Sequence, residues 1–129
     1  MDTPTGTSLV NLTVQAPAEE KQLLYRQLII QVLKQYVCAP INGDIQTLPI
    51  LDTVGDHYQL LDIGWDDAGH RIFQPTIHVD LQGTKVWIQE NTTDLDIAKV
   101  LVASGINPSD IVLGLHSRAL RQFSEYAVE

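Results

Sequence analysis

Residues 71–90 read RIFQPTIHVDLQGTKVWIQE, and the period of two in their apolar side chains decides the fold class. With Gln82-Gly83 as a two-residue loop, strand pairing runs outward from this turn. The apolar pairs on one face are Val79–Val86 and Ile77–Ile88, and the polar pairs on the other are Asp80–Lys85, His78–Trp87 and Thr76–Gln89. Because a slip of one residue would mix the two sets, we predict an antiparallel hairpin in this register.

Two more strands precede the hairpin. His57–Trp65 places Leu61, Ile63 and Trp65 on one face, and Ile45–Val54 forms the strand before it. Pro49 predicts that this first strand lies at a sheet edge, because proline has no N–H for a ladder hydrogen bond. Pro75 indicates a bulge in the third strand, which would exchange the faces before it.

A helix is predicted over residues 18–37, ahead of the strands. Its apolar stripe comprises Leu24, Leu28, Ile29, Val32, Leu33, Tyr36 and Val37. Pro17 suits the first helical turn, and Pro40 ends the helix. Residues 1–18 form an N-terminal arm whose alternation of Val10, Leu12 and Val14 weakly indicates a strand that could join a sheet edge. We therefore expect an arm, 1–18, and one domain, 19–129.

Shorter elements follow the strands. Thr93 is the predicted N-cap of a second helix, with Asp96 as its capping-box partner and Gly105 at its end. A turn at 107–110 leads to a short strand at 111–115, and a closing helix is predicted over 118–127. The fold class is α+β: a long N-terminal helix packed on an antiparallel sheet of four to five strands, with two shorter C-terminal helices.

Composition excludes several classes of protein. The 129 residues fit one globular domain, with 44% hydrophobic residues and no apolar run long enough to span a membrane. The single cysteine, Cys38, excludes an internal disulfide and favours a reducing, cytoplasmic location. We expect this cysteine to be buried and inert.

Charge is concentrated in the middle of the chain. The net charge is −8, and residues 43–98 hold ten acidic but only two basic residues. Affinity for nucleic acid comes largely from Lys and Arg contacts to phosphate, so direct DNA binding is not expected. An acidic surface attracts a basic partner, although simple solubility explains the same charge.

Histidines provide the candidate ligand site. His78 and Asp80 share one strand face and could form half of a metal site, or a base with its orienting carboxylate. The structural alternative stacks His78 on Trp87 beside an Asp80–Lys85 pair, and we favour it because metal sites usually need three ligands. His57 lies near Asp52 and Asp56 at a turn, where such residues bind cations less often than they form turns.

No signal specific to an enzyme occurs. His116-Ser117 resembles a base and nucleophile, but Ser117 is better explained as the N-cap of the last helix. Phosphate-binding loops and zinc-ligand spacings are absent from the sequence. We therefore predict no catalytic residue, no metal and no cofactor. A small enzyme or ligand-binding domain using His57, His78 and Asp80, with Trp87 nearby, is the alternative.

An ordered set of short stretches carries a family resemblance. The stretches are Leu24-Tyr25-Arg26-Gln27-Leu28-Ile29, Asp56-His57-Tyr58-Gln59-Leu60, Gly64-Trp65-Asp66, Ile77-His78-Val79-Asp80, Val86-Trp87-Ile88-Gln89, Asn91, Asp96-Ile97-Ala98, Asp110-Ile111-Val112-Leu113-Gly114, His116-Ser117, Arg121-Gln122 and Glu125-Tyr126-Ala127-Val128. Together they cover about residues 20–128 and resemble the XisI family of cyanobacterial proteins. The arm and Pro49 depart from the family pattern.

The resemblance implies a process more than a mechanism. XisI-like proteins are associated with controlled excision of the fdxN DNA element during heterocyst differentiation, which a separate recombinase carries out. It also implies a partner, an XisH-like protein similar to restriction-type nucleases, and no catalytic residue. We expect a non-catalytic accessory protein in site-specific excision, and inhibition of that nuclease is one hypothesis for how it acts. Asp62, Asp66 and Asp67 are the hypothetical partner-binding residues, and a homodimer is a further possibility.

Overall fold

The computed structural model describes residues 8–37 and 44–129, with side chains from residue 17 onward. The elements are α1 (Ser8–Lys34), β1 (Gln46–Asp52), β2 (His57–Trp65), β3 (Arg71–Gln82), β4 (Lys85–Asn91), α2 (Ile97–Ser104), a 3-10 turn (Pro108–Asp110), β5 (Ile111–Leu113) and α3 (Arg118–Arg121). Cys38 and Pro40, predicted to be buried and to end the helix, lie outside the described residues, as do residues 1–7 of the arm.

One five-stranded sheet runs in the order β1-β2-β3-β4-β5. β1 to β4 form an antiparallel meander, and Pro49 lies on an edge strand as predicted. β5 pairs parallel to β4, so the sheet is mixed and the wholly antiparallel expectation is wrong. The reason is α2, which carries the chain back so that β5 enters beside β4 in the same direction.

The hairpin register differs from the prediction by two residues. Gln82 pairs with Lys85, so Gly83-Thr84 forms the loop, with Gly83 at a φ of 62° in the position that favours glycine. Val79 therefore lies opposite Ile88, and Asp80 opposite Trp87. A shift of two keeps side chains on their faces from Val79 to Ile88, which is why the predicted segregation of apolar and polar residues holds there. A bulge between His78 and Val79 then pairs His78 with Glu90.

A bulge at Pro75 fits the sequence-based expectation. Leu60 pairs with Ile77 and Leu61 with Pro75, so Thr76 is the extra residue in β3. β2 has no extra residue, and its alternation places Tyr58 and Leu60 on the core face, where both are almost fully buried. Leu61, Ile63 and Trp65, predicted to share a face, lie on the opposite face, where Leu61 is also buried.

α1 packs across the sheet, and its buried stripe is rotated by about one residue relative to the predicted apolar stripe. Tyr25, Ile29, Val32 and Leu33 are buried, whereas Leu24 is 47% exposed. The helix begins at Ser8, so the weak strand signal around Leu12 is wrong and Pro17 lies inside the helix. A proline inside a helix removes one hydrogen bond, and its ring crowds the carbonyl of the residue four positions earlier, which is why the sequence predicted a boundary near Pro17.

The C-terminal elements are shorter than predicted. Asp96, rather than Thr93, caps α2 by accepting a hydrogen bond from the Lys99 N–H, and Gly105 ends the helix as expected. Ser117 caps α3, which stops at Arg121, six residues before the predicted end of the closing helix. None of the described helices is both long and apolar enough to cross a membrane.

Candidate functional site

The two faces of the sheet differ in what covers them. α1 and α2 pack on the face of Tyr58, Leu60 and Val79, where the core lies. The other face, which we call the open face, carries an apolar patch at its β1–β3 side and a polar group in the middle. The apolar patch consists of Leu48, Ile50, Ile63, Trp65 and Phe73. Phe73 is 63% exposed and Trp65 50%, so these side chains are available for contact.

The polar group brings the three predicted ligand residues together. Pairing of β2 with β3 sets His57 opposite Asp80, and His78 stands two residues before Asp80 on the same face. Nδ1 of His57 and Nε2 of His78 each lie 2.7 Å from Oδ1 of Asp80. The two rings are 6.2 Å apart at an angle of 38°. The alternation in β3 reveals His78 and Asp80, but His57 joins them only through the strand register.

Neighbouring side chains hold this group in place. Oε1 of Gln59 lies 2.8 Å from Nδ1 of His78, and Nε2 of Gln89 donates to Oδ2 of Asp80 at 3.3 Å. Gly114 makes room for Gln89, because a Cβ there would lie 2.5 Å from Oε1 of Gln89. Trp87 flanks the group opposite Asp80 and carries the Arg121 guanidinium 5.2 Å from its ring centroid. The predicted Asp80–Lys85 pair does not form, since Lys85 Nζ donates to the Ser109 carbonyl instead.

Electrostatics favour the charged forms of His57 and Asp80. The hydrogen bond to Asp80 raises the pKa of His57 above its ordinary value. Burial alone would raise the pKa of Asp80, but hydrogen bonds from His57 and His78 outweigh it and hold that pKa below its usual range.

The three acidic residues expected to bind a partner have different surroundings. Asp62 lies on the helix side of the sheet and accepts a hydrogen bond from the Thr47 hydroxyl at 2.7 Å. Asp66 accepts from the backbone N–H groups of Ala68 and His70 within its own turn, which lowers its pKa. Asp67 is exposed. Of the three, Asp67 is the exposed residue, whereas Asp62 and Asp66 are partly buried.

Two buried carboxylates were missed by reasoning from residue pattern. The carboxylate of Asp56 accepts hydrogen bonds from Nε of Arg26 at 2.7 Å, from Nη2 of Arg26 at 3.0 Å and from the Tyr58 hydroxyl. The backbone of Asp56 has a positive φ of 61°. The carboxylate of Asp110 accepts a hydrogen bond from the Tyr25 hydroxyl at 2.6 Å and forms an ion pair with Lys21 Nζ at 2.7 Å. Both groups tie α1 to the ends of strands. The only signal for them in the sequence was their presence in the stretches shared with the XisI family.

His116 lines a surface cavity of about 330 Å³ between β4, β5 and α2. Apolar side chains including Ile88, Leu95 and Tyr126 form most of its wall. The Ser117 hydroxyl oxygen accepts a hydrogen bond from the Leu120 N–H, as a helix N-cap does. Ser117 therefore caps α3, as predicted. The residues that line the cavity with His116 include no serine, cysteine or threonine.

Comparison with known proteins settles the family, since the family model for the XisI protein matches residues 20–128. The chain belongs to the XisI family. This agrees with the family inferred from the ordered stretches, including those that contain Asp56 and Asp110.

Two solved structures share the XisI fold with this chain. A crystal structure of a XisI-like protein from Anabaena variabilis is 35% identical, with a TM-score of 0.69, over 87% of this chain and 99% of that one. The fdxN element excision controlling factor XisI from the same species is 30% identical, with a TM-score of 0.72, over 84% and 99%. The curated proteins contain no match to this chain.

Proposed function

We propose that this XisI-family chain is a non-catalytic regulator in the controlled excision of a DNA element. The observation that carries the proposal is its match, over nearly the whole of the other chain, to the fdxN element excision controlling factor XisI. The acidic middle of the chain supports action through protein contacts, because the ten acids against two bases in residues 43–98 disfavour DNA phosphates. The process is site-specific recombination of the heterocyst type, in the cytoplasm.

The contact surface that the fold supports best is the open face. Large apolar side chains exposed together on one sheet face are typical of protein interfaces. The partner we propose is an XisH-like, nuclease-fold protein, which this chain would inhibit by covering a basic cleft. Asp67, beside the apolar patch at the β2–β3 turn, supplies negative charge to such a contact, with Asp62 and Asp66 holding the local structure.

Co-expression with an XisH-like protein tests this proposal. We expect co-elution in size-exclusion chromatography and suppression of nuclease activity. Phe73→Ser should release the partner, whereas Phe123→Ser, which removes a phenylalanine 86% exposed outside the apolar patch, should leave binding intact. Asp67→Asn should weaken binding more at low salt, with the equally acidic and exposed Asp94→Asn as the control for net charge. Equal binding by all four variants would contradict the proposal.

The same open face is the surface we propose for a homodimer, if this chain self-associates. Analytical ultracentrifugation of the wild type and Phe73→Ser distinguishes the two uses: a dimer that dissociates only in the variant supports self-association. The second function considered from the sequence, a ligand-binding domain, is favoured by one observation, the convergence of His57, His78 and Asp80 within hydrogen-bond distance.

A further inference from the structure

We propose that His57, His78 and Asp80 form a site for a divalent transition-metal ion, Zn²⁺ by its donor set, on the open face of the sheet. The site does not depend on the function in excision proposed above. Sequence alternation provides two of its ligands, and the pairing of β2 with β3 provides the third. Among the residues that the structure describes, this is the one group of three such side chains whose ligand atoms gather, all within 4.8 Å of one another.

The spacing of the donor atoms suits one small cation. Zinc binds His nitrogen and Asp oxygen at about 2.0–2.2 Å in tetrahedral geometry, which separates neighbouring ligand atoms by about 3.3 Å. The two His–Asp distances here are each 2.7 Å. Each His–Asp pair reaches the tetrahedral separation if the imidazole moves outward by about half an ångström, and all three ligand atoms already lie within 4.8 Å of one another. Such a movement is small for side chains on adjacent strands.

Oxygen atoms face both ring nitrogens of His78. Oε1 of Gln59 lies 2.8 Å from Nδ1, and Oδ1 of Asp80 lies 2.7 Å from Nε2. When Nδ1 donates its hydrogen to the Gln59 oxygen, the lone pair on Nε2 is directed towards Oδ1 of Asp80. A cation placed between Nε2 and Oδ1 would then be bound by both atoms.

A second layer orients the ligands, as in metal sites generally. Metal-bound histidines usually donate their other N–H to a carbonyl or carboxylate, and bound carboxylates are themselves hydrogen-bonded. Gln59 fills the first role for His78, and Gln89 fills the second for Asp80. The side chain of Asp80 is only 13% exposed, so its direction is held by its surroundings. Gly114 is part of this layer because it admits Gln89.

The donor set and the exposure define which ions fit. Two imidazoles and one carboxylate favour zinc and other late first-row metals over Mg²⁺ and Ca²⁺, which prefer oxygen ligands. The side chain of His57 is 56% exposed, so the fourth coordination position opens to solvent. That position takes a water molecule, or a side chain from a protein docked on the open face.

The chain contains its own control. His70 and Asp66 also form a His–Asp pair, with Nδ1 3.2 Å from Oδ2, on an exposed turn. No third ligand joins that pair within the described residues. A surface pair of this kind should bind zinc weakly, so substitution of His70 measures the background of the assay.

Calorimetric titration of the untagged protein with zinc chloride, after dialysis against a chelator, tests the site. We expect one equivalent of Zn²⁺ in the wild type and in His70→Gln. In His57→Gln and His78→Gln the affinity should fall by at least about tenfold, and Gln59→Leu should lower it by about 10–100-fold. Cobalt titration provides a second measurement, because a tetrahedral N₂O site gives visible absorption bands that His78→Gln should abolish.

Circular dichroism melting curves establish that each variant is folded. His57 is largely exposed, so His57→Gln keeps the test decisive if His78→Gln proves unstable. The proposal is overturned if the wild type takes up no stoichiometric zinc. It is equally overturned if the folded His57→Gln variant binds zinc as tightly as the wild type.

Discussion

At the scale of single residues, the strongest constraints in this protein are carboxylates turned inward. Asp56 and Asp110 are the buried charged residues among those described, and each is satisfied by groups from α1. Residue type alone predicted only a turn at Asp56 and at Asp110. Their partners Arg26 and Lys21 lie far away in sequence, and the local pattern of residue types does not predict which distant charges pair.

Replacing Arg26 should destabilise the fold. Arg26→Gln removes a bidentate ion pair and leaves the Asp56 carboxylate, whose side chain is 12% exposed, with the Tyr58 hydroxyl alone. We expect a loss of about 1–3 kcal/mol in the free energy of unfolding, measured with urea. The control is Arg118→Gln, which breaks an exposed pair with Glu129 and should cost less than about 0.5 kcal/mol. Equal losses in the two variants would contradict the importance of burial.

Acid should weaken the tie between α1 and Asp110. Burial would raise the pKa of Asp110, but hydrogen bonds from Lys21 and Tyr25 outweigh it and lower that pKa in the folded state. The stabilisation is therefore complete above the unfolded value of about 3.9 and disappears as the pH falls through the lower folded value. The difference in unfolding free energy between wild type and Asp110→Asn should be largest near pH 6 and shrink below pH 4. A difference that stays constant down to pH 2 would refute this assignment.

At the scale of elements, strand type and position were predictable because a period of two is a local property. All four meander strands follow from it, and the edge position of β1 and the bulge in β3 follow from Pro49 and Pro75. The hairpin register was not predictable, because Gln82-Gly83 and Gly83-Thr84 preserve the same faces and differ only in where glycine takes its positive φ. The parallel entry of β5 was also out of reach, since it depends on how α2 packs.

Gly64 is the glycine on which the β2 end depends. Its φ is 147°, and a Cβ there would lie 1.8 Å from the carbonyl oxygen of Asp44. Gly64→Ala should therefore cost about 3 kcal/mol or more in thermal or urea unfolding. Gly69→Ala is the matched control, because its φ is also positive at 83° but nothing lies within 4 Å of the new methyl group. The control should lose only about 1–2 kcal/mol, and a similar loss for both would show that the strand end can move aside.

At the scale of the whole molecule, the charge determines which partners can approach. With a net charge of −8, the isolated protein should not retard duplex DNA in a gel at physiological ionic strength. A shift that weakens steeply with added salt would contradict this and favour direct binding to DNA.

The residues of the candidate site could be named from the sequence, but their convergence was only partly predictable. His78 and Asp80 share a strand, so their alternation places them together, whereas His57 is 23 residues away and meets Asp80 only through sheet pairing. The acidic trio stays a prediction about partner binding, and its members differ in what surrounds them. Asp62 and Asp66 are close in sequence, but strand geometry sends them to different surroundings.

The edge position of Pro49 bears on how this protein behaves when concentrated. β1 borders the sheet, and a strand from another molecule would have to pair along it to begin a cross-β stack. A proline in the middle of that border has no N–H to offer, so the ladder of a growing fibril would be interrupted there. Pro49 therefore disfavours fibril formation along β1. Pro49→Thr should shorten the lag time of fibril formation, measured by thioflavin fluorescence under mildly destabilising conditions.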